Sequence, residues 1–169
     1  MARLSSLICA DKEFSSFCEL LSDSLRSGGG PAAIINGLSG GAVGAFVCET
    51  VFAAKEQTVS LVLAPTDEEC LGLCRTLAKN GLRVAHYPQR EFIFDSISAS
   101  HDTERERLSV LYKLISGELD CVVATPAAAV CGTMPSAKLS ALALALHTGM
   151  EISISSLCEA LIALGYTPV

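Results

Sequence analysis

Charge is scarce in this chain. Only 18% of its 169 residues are charged, and the formal net charge is −6. No cluster of Lys and Arg offsets that balance locally, so direct attraction to a phosphate backbone is disfavoured and nucleic acid is not a predicted ligand. Long apolar runs are missing too: none approaches the ~18 residues of a membrane helix. The short apolar stretch within Met1 to Ala10 is cut off by Asp11, Lys12 and Glu13, too early for a signal peptide. No membrane partner is predicted. The cysteines are numerous, eight in all, but no C-x-x-C pair occurs among them. Cys18, Cys70, Cys74, Cys121 and Cys158 fall in apolar stripes or strand-like runs, which predicts reduced, buried thiols of a cytoplasmic protein. Cys70 and Cys74 lie one helical turn apart, but a zinc site would need two further ligands, and the neighbouring sequence supplies none. His86, His101 and His147 have no acidic or cysteine partner at a telling spacing and read as surface or strand-end residues. Half the residues are apolar, which excludes disorder and is enough for a core in a chain of this length.

The most informative absence lies at residues 37 to 45, Gly-Leu-Ser-Gly-Gly-Ala-Val-Gly-Ala. They follow the apolar run Ala32-Ala33-Ile34-Ile35 and open a helical stretch, the place of a phosphate loop of the form G-x-x-x-x-G-K-[ST]. Gly37 fills the first glycine, but the second falls on Ala42, the lysine on Val43 and the hydroxyl on Gly44. A lysine reaches the terminal phosphates and a Ser or Thr hydroxyl holds magnesium, and Val43 and Gly44 can do neither. No Asp-Glu pair directly ends an apolar strand, so an acidic magnesium motif is missing as well. The loop, with Gly37, Gly40, Gly41, Val43 and Gly44, reads as a nucleotide site out of use, and neither ATP hydrolysis nor a bound cofactor is expected here. The simpler reading is that these glycines permit a tight turn and close helix packing.

What is present is an alternation of strand and helix. Asp11 to Arg26 has helical apolar spacing and stops at Gly28-Gly29-Gly30-Pro31. A strand is predicted at about 32 to 36, a helix through Ala54, an interior strand over Val59 to Ala64, and a helix opened by a Thr66/Glu69 capping box. A short strand follows at Leu82 to His86. The next helix is capped by Asp102 and lined by Leu108, Leu111, Tyr112 and Ile115. A strand is then predicted at Cys121 to Ala124, and Thr125-Pro126 starts a short helix. This order argues for an α/β fold, a parallel sheet covered by helices. Past Met134-Pro135-Ser136 the pattern changes. Leu139 to Leu146 is a strand candidate, and a Ser156/Glu159 box caps a helix running to Gly165.

Two stretches resemble a known family. Phe94-Asp95-Ser96-Ile97-Ser98 is similar to a Y-D-x-x-S-P segment, and Arg107-Leu108-Ser109-Val110-Leu111-Tyr112-Lys113-Leu114 is similar to an R-L-x-x-L-Y-x-L helix. Both belong to the amino-terminal module of the bacterial transcription-repair coupling factor, itself related to excinuclease B. Tyr87-Pro88, Glu91 and Leu164-Gly165-Tyr166 also match, and Gly37-Leu38-Ser39-Gly40 resembles that family's own degenerate loop. The resemblance covers roughly residues 31 to 169. The stretch from Pro88 to His101 is too short for the aromatic hairpin with which excinuclease B clamps DNA. Arg90 stands where the family has tryptophan, Ala99 where it has proline, and Thr167-Pro168 where an arginine is common.

The resemblance implies a P-loop or helicase-type domain kept as a scaffold, with residues 1–30 as a leading helix and linker, 31–133 as the degenerate domain, and 134–169 as the start of an α+β domain. In the family that second domain docks excinuclease A, and Tyr166 falls within it. The family's RNA polymerase-binding domain and its ATP-driven DNA translocase motor lie in parts this chain does not contain. The resemblance therefore implies a fragment, a split gene product or a decayed gene, with a docking domain too incomplete to bind excinuclease A well. Asp95, Ser98, Arg107, Leu108, Leu111 and Tyr112 carry the family motif in a structural role, with Arg107 in structural pairing. Two other classes stay open. One is a dinucleotide-binding enzyme domain, although the glycine spacing is wrong and Asp67 lies past Pro65. The other is a general α/β interaction module.

Overall fold

The computed structural model describes residues 7–28, 33–56, 58–90, 99–144, 146–163 and 166, with the backbone alone at 99–101. Among them, Ser60–Leu63 (β1), Val84–Tyr87 (β2) and Cys121–Ala124 (β3) form one parallel sheet in the order β1-β3-β2. Ser60 and Val84 pair with Cys121 from opposite sides, and Leu63 and Tyr87 pair with Ala124. The central strand, Cys-Val-Val-Ala, is buried at every position, as a strand covered on both faces must be.

Helices Lys12–Ser27 (α1), Gly41–Ala54 (α2), Asp67–Lys79 (α3), Ala99–Ile115 (α4) and Pro126–Val130 (α5) surround it. On one face Cys48 and Val51 of α2 and Cys70 and Leu77 of α3 pack on Cys121 and Val123. On the other, Val110 of α4 and Ala128 of α5 pack with Tyr87, Val122 and Ala124. The caps are local and chemical. The Asp11 carboxylate accepts from the Glu13 and Phe14 N–H groups at the start of α1, Thr66 Oγ1 from Glu69 N–H at α3, and Thr125 Oγ1 from Ala128 N–H at α5. Helix α1 lies on α2 through Phe14, whose ring meets Phe46 edge-on at 5.4 Å. The chain divides into two compact units, Met1–Cys131 and Gly132–Val169. Within the second, Ser136–Leu142 (α6) and Ile154–Ala163 (α7) are helical, and Leu139 is its buried side chain among the described residues. No helix among the described residues is long and apolar enough to cross a membrane.

Several sequence expectations are corrected. Residues 33–36 are not a strand: Ile34 is 86% exposed, and the segment lies beside α1 and Phe46, with no strand among the described residues to complete its ladder. The run at Val59 to Ala64 is an edge strand and not an interior one among the described residues, where β1 has β3 alone beside it and Leu61 and Leu63 stay 60% and 51% exposed. The strand expected at Leu139 to Leu146 is in part helix α6 over Ser136–Leu142, where Ala, Leu and Lys favour helix and no strand among the described residues offers a ladder. Helix α4 begins at Ala99, so Asp102 sits inside its first turn instead of capping it. Its buried stripe is Arg107, Val110, Leu111 and Leu114, one residue round from the expected Leu108, Leu111, Tyr112 and Ile115. Helix α7 starts ahead of Ser156, and the hydroxyl that accepts the Ser156 N–H, at 3.0 Å, is that of Ser153.

All eight cysteines are free thiols. Burial pushes the Cys121 thiol up to about 12 and the Cys74 thiol up to about 11, so both stay protonated at neutral pH. Cys158, expected in a buried stripe, is exposed, because α7 buries none of its side chains.

One ion pair ties the starts of β2 and β3 together. The Asp120 carboxylate accepts from Arg83 N–H at 2.8 Å, Nε at 3.1 Å and Nη2 at 2.6 Å. These Arg83 donors hold the carboxyl below its ordinary range despite burial. A folded-state value below the unfolded one contributes stability above the unfolded value of about 4, and that stability is lost as pH falls through the folded value. Urea denaturation across that acid range is expected to show a shallower pH slope for Asp120→Asn than for the natural chain. Equal slopes would remove Asp120 from the acid response.

Candidate functional site

The glycine loop folds as a turn into α2. Gly37 has φ +86° and Gly40 has φ +53°, left-handed values that a side chain would strain. Gly40 caps α2 without a side-chain hydrogen bond. The amides at the helix start turn inward: Ala42 N–H donates to Ser39 C=O at 3.1 Å and Val43 N–H to Gly40 C=O at 3.3 Å. Val43, in the lysine position, is an exposed valine. Gly44, in the hydroxyl position, is buried against α3, where an added Cβ would meet Thr76 Cγ2 at 3.1 Å. Thr76 cannot easily retreat, since its hydroxyl is held by Gly72 C=O at 3.0 Å. Gly41 opens the helix with open space beside it. A working phosphate loop needs a preceding strand, outward amides, a lysine and a hydroxyl. Residues 33–44 present no strand, no lysine and, at position 44, no hydroxyl, and two of their amides are taken up within the turn.

The other concentration of polar groups lies at the carboxyl end of β2, where ligands collect in open α/β sheets. Arg107 of α4 is 2% exposed. Its Nη1 donates to Pro88 C=O at 2.6 Å, and its guanidinium lies 4.1 Å from the centre of the Tyr87 ring. Neither Arg107 Nη2 nor the Tyr87 hydroxyl has a hydrogen-bond partner among the described residues. Beside them Arg90 grips Glu104 with two N–H donors, and this holds the Glu104 carboxyl below its ordinary range. Arg90 is therefore an ion-pair partner of α4. The run Glu104 to Arg107 is not wholly solvated, as charge counting alone would have it. Burial pushes the Tyr87 hydroxyl up, partly countered by the Arg107 charge.

The remaining residues singled out from the sequence do not converge with these. Leu108 and Tyr112 are exposed on α4, Leu111 packs beside Val110, and Tyr166 is exposed in the second unit. Asp95 and Ser98 lie outside the described residues. One cluster escaped the sequence reading. His86 Nε2 is 3.2 Å from Asp67 Oδ1, and Cys70 Sγ lies with both inside a span of 4.8 Å. His86 has an acidic partner in Asp67 and a cysteine sulfur close by, contrary to the expectation. Cys70 faces them instead of pairing with Cys74 in a ligand set. Spacing rules miss such a cluster because a strand and a helix bring together groups 19 residues apart in the chain.

No family model, curated protein or solved structure matches the chain.

Proposed function

We propose that the chain is a non-catalytic scaffold module of a transcription-coupled DNA repair factor, built on a P-loop helicase-type domain whose nucleotide site is out of use. The observation that carries this reading is the position of Gly44. Where a nucleotide-binding loop needs a magnesium-holding hydroxyl, this chain seats a glycine against Thr76 and uses the space for packing α2 on α3. Val43 supports it, leaving no cation to meet a terminal phosphate. The buried Arg107 supports the family resemblance in the same sense, because its Nη1 donor and its planar face are spent on Pro88 and Tyr87, within the fold.

Thermal-shift and calorimetric titrations of the purified chain test this. ATP, GTP and NAD are expected to leave the melting temperature unchanged, and purified excinuclease A to bind no tighter than the micromolar range. A nucleotide-dependent rise would overturn the scaffold reading in favour of a nucleotide- or dinucleotide-binding enzyme domain. Sub-micromolar capture of excinuclease A would show that this chain carries the docking surface.

A further inference from the structure

The side chains of Asp67, Cys70 and His86 bring three kinds of metal donor to one point. Asp67 and Cys70 belong to the first turn of α3, Asp67 exposed and Cys70 fully buried, and His86 comes from β2. The His86 nitrogen and Asp67 oxygen stand 3.2 Å apart, and the Cys70 sulfur is within 4.8 Å of each. Ligand atoms around a tetrahedral Zn2+ at bond lengths of about 2.0–2.3 Å lie roughly 3.3–3.7 Å apart. The oxygen-nitrogen edge of such a tetrahedron is already in place, and the sulfur has about 1 Å to close, within the reach of side-chain rotation. The three groups sit where β1 hands over to α3 and beside the end of β2, so the backbone behind them is held by the parallel ladder on β3.

We propose that Asp67, Cys70 and His86 form a three-ligand site for a borderline-soft divalent cation, Zn2+ by preference, with the fourth position open to solvent on the Asp67 side. The donor set argues for this class of ion: thiolate and imidazole select zinc-like metals over magnesium or calcium, which want oxygen alone. Three protein ligands with one open position is the arrangement of zinc sites that bind a water or a small ligand, whereas closed structural sites use four. On binding, the Cys70 thiol gives its proton to solvent, the sulfur bonds the metal, and the Asp67–His86 hydrogen bond is exchanged for two metal bonds. The site is independent of the glycine loop and of the scaffold reading. It would fasten the start of α3 to β2.

Cobalt(II) is the probe, because its visible bands report tetrahedral geometry and its near-ultraviolet charge-transfer band reports a thiolate ligand. The experiment uses a chain in which the exposed Cys9 and Cys158 and the half-buried Cys18 and Cys131 are serine, so that loose thiols do not contribute. One equivalent of Co2+ is expected to give both signatures, and Zn2+ to bleach them stoichiometrically. Cys70→Ser is expected to remove the charge-transfer band. His86→Gln, at a side chain outside the apolar clusters and replaced by one that still hydrogen-bonds, is expected to weaken binding by at least roughly tenfold. Asp67→Asn is expected to do the same. Absence of stoichiometric Co2+ binding would overturn the site, as would binding that His86→Gln leaves untouched.

Discussion

Arg107→Ala is expected to cost the fold about 3 kcal/mol, among the larger effects open to a single substitution in this chain. The change removes a charged donor from Pro88 C=O and a guanidinium from the Tyr87 ring, and it leaves a cavity in a place that is 2% exposed. A charge-assisted hydrogen bond and a desolvated cation–π contact are each worth about 2 kcal/mol, and they share one side chain, so their loss is less than additive. For a chain of this size the melting temperature should fall by roughly 6–12 °C. Arg107→Lys separates the terms. It keeps a charge but loses the planar face that stacks on Tyr87, so it should recover only part of the loss. Urea titration of the three proteins gives the answer, and a variant as stable as the natural chain would show that α4 is held on the sheet without Arg107.

The second large effect concerns Gly44. Gly44→Leu is expected to destabilise by about 3 kcal/mol, because the added side chain must displace α3 from α2. Gly44→Ala is a finer probe. Alanine in a helix interior gains about 1 kcal/mol over glycine, but here its Cβ would press on Thr76 Cγ2 at 3.1 Å, and the two terms should nearly cancel. Adding Thr76→Ala relieves that contact, so the double variant is expected to be more stable than Gly44→Ala alone. Denaturation of the four proteins forms a closed cycle. No coupling between the two sites, or a tolerated leucine, would show that the glycine is not there for helix approach, and the case for a loop given over to packing would lose its main support.

How much of this was legible in the sequence depended on distance along the chain. The caps at Thr66 and Thr125 were legible because donor and acceptor lie three residues apart, and β3 was legible because a fully buried strand is written as an unbroken apolar run. The segment at 33–36 misled because four apolar residues look like a strand whether or not a neighbour exists to pair with them, and pairing is not written locally. The stripe on α4 was read one position out because apolar counting assigns an arginine to solvent, while Arg107 faces inward and brings Val110 and Leu114 with it. The missing lysine at Val43 was plain from the sequence. What Gly44 does instead was not, since Thr76 lies on another helix. The Asp67, Cys70 and His86 cluster was hidden for the same reason.

The order β1-β3-β2 also sets a constraint in time. The first two strands share no ladder with each other: every backbone pairing in the sheet runs through Cys121–Ala124. Neither of the two described ladders can therefore form until the last of the three strands leaves the ribosome and slots between the other two. A sheet closed by its final strand cannot grow outward from a hairpin, and its contacts join residues far apart in the chain, which makes such folding slow and all-or-none. Loss of the chain beyond Asp120 would thus remove both ladders described among these strands and not one edge alone.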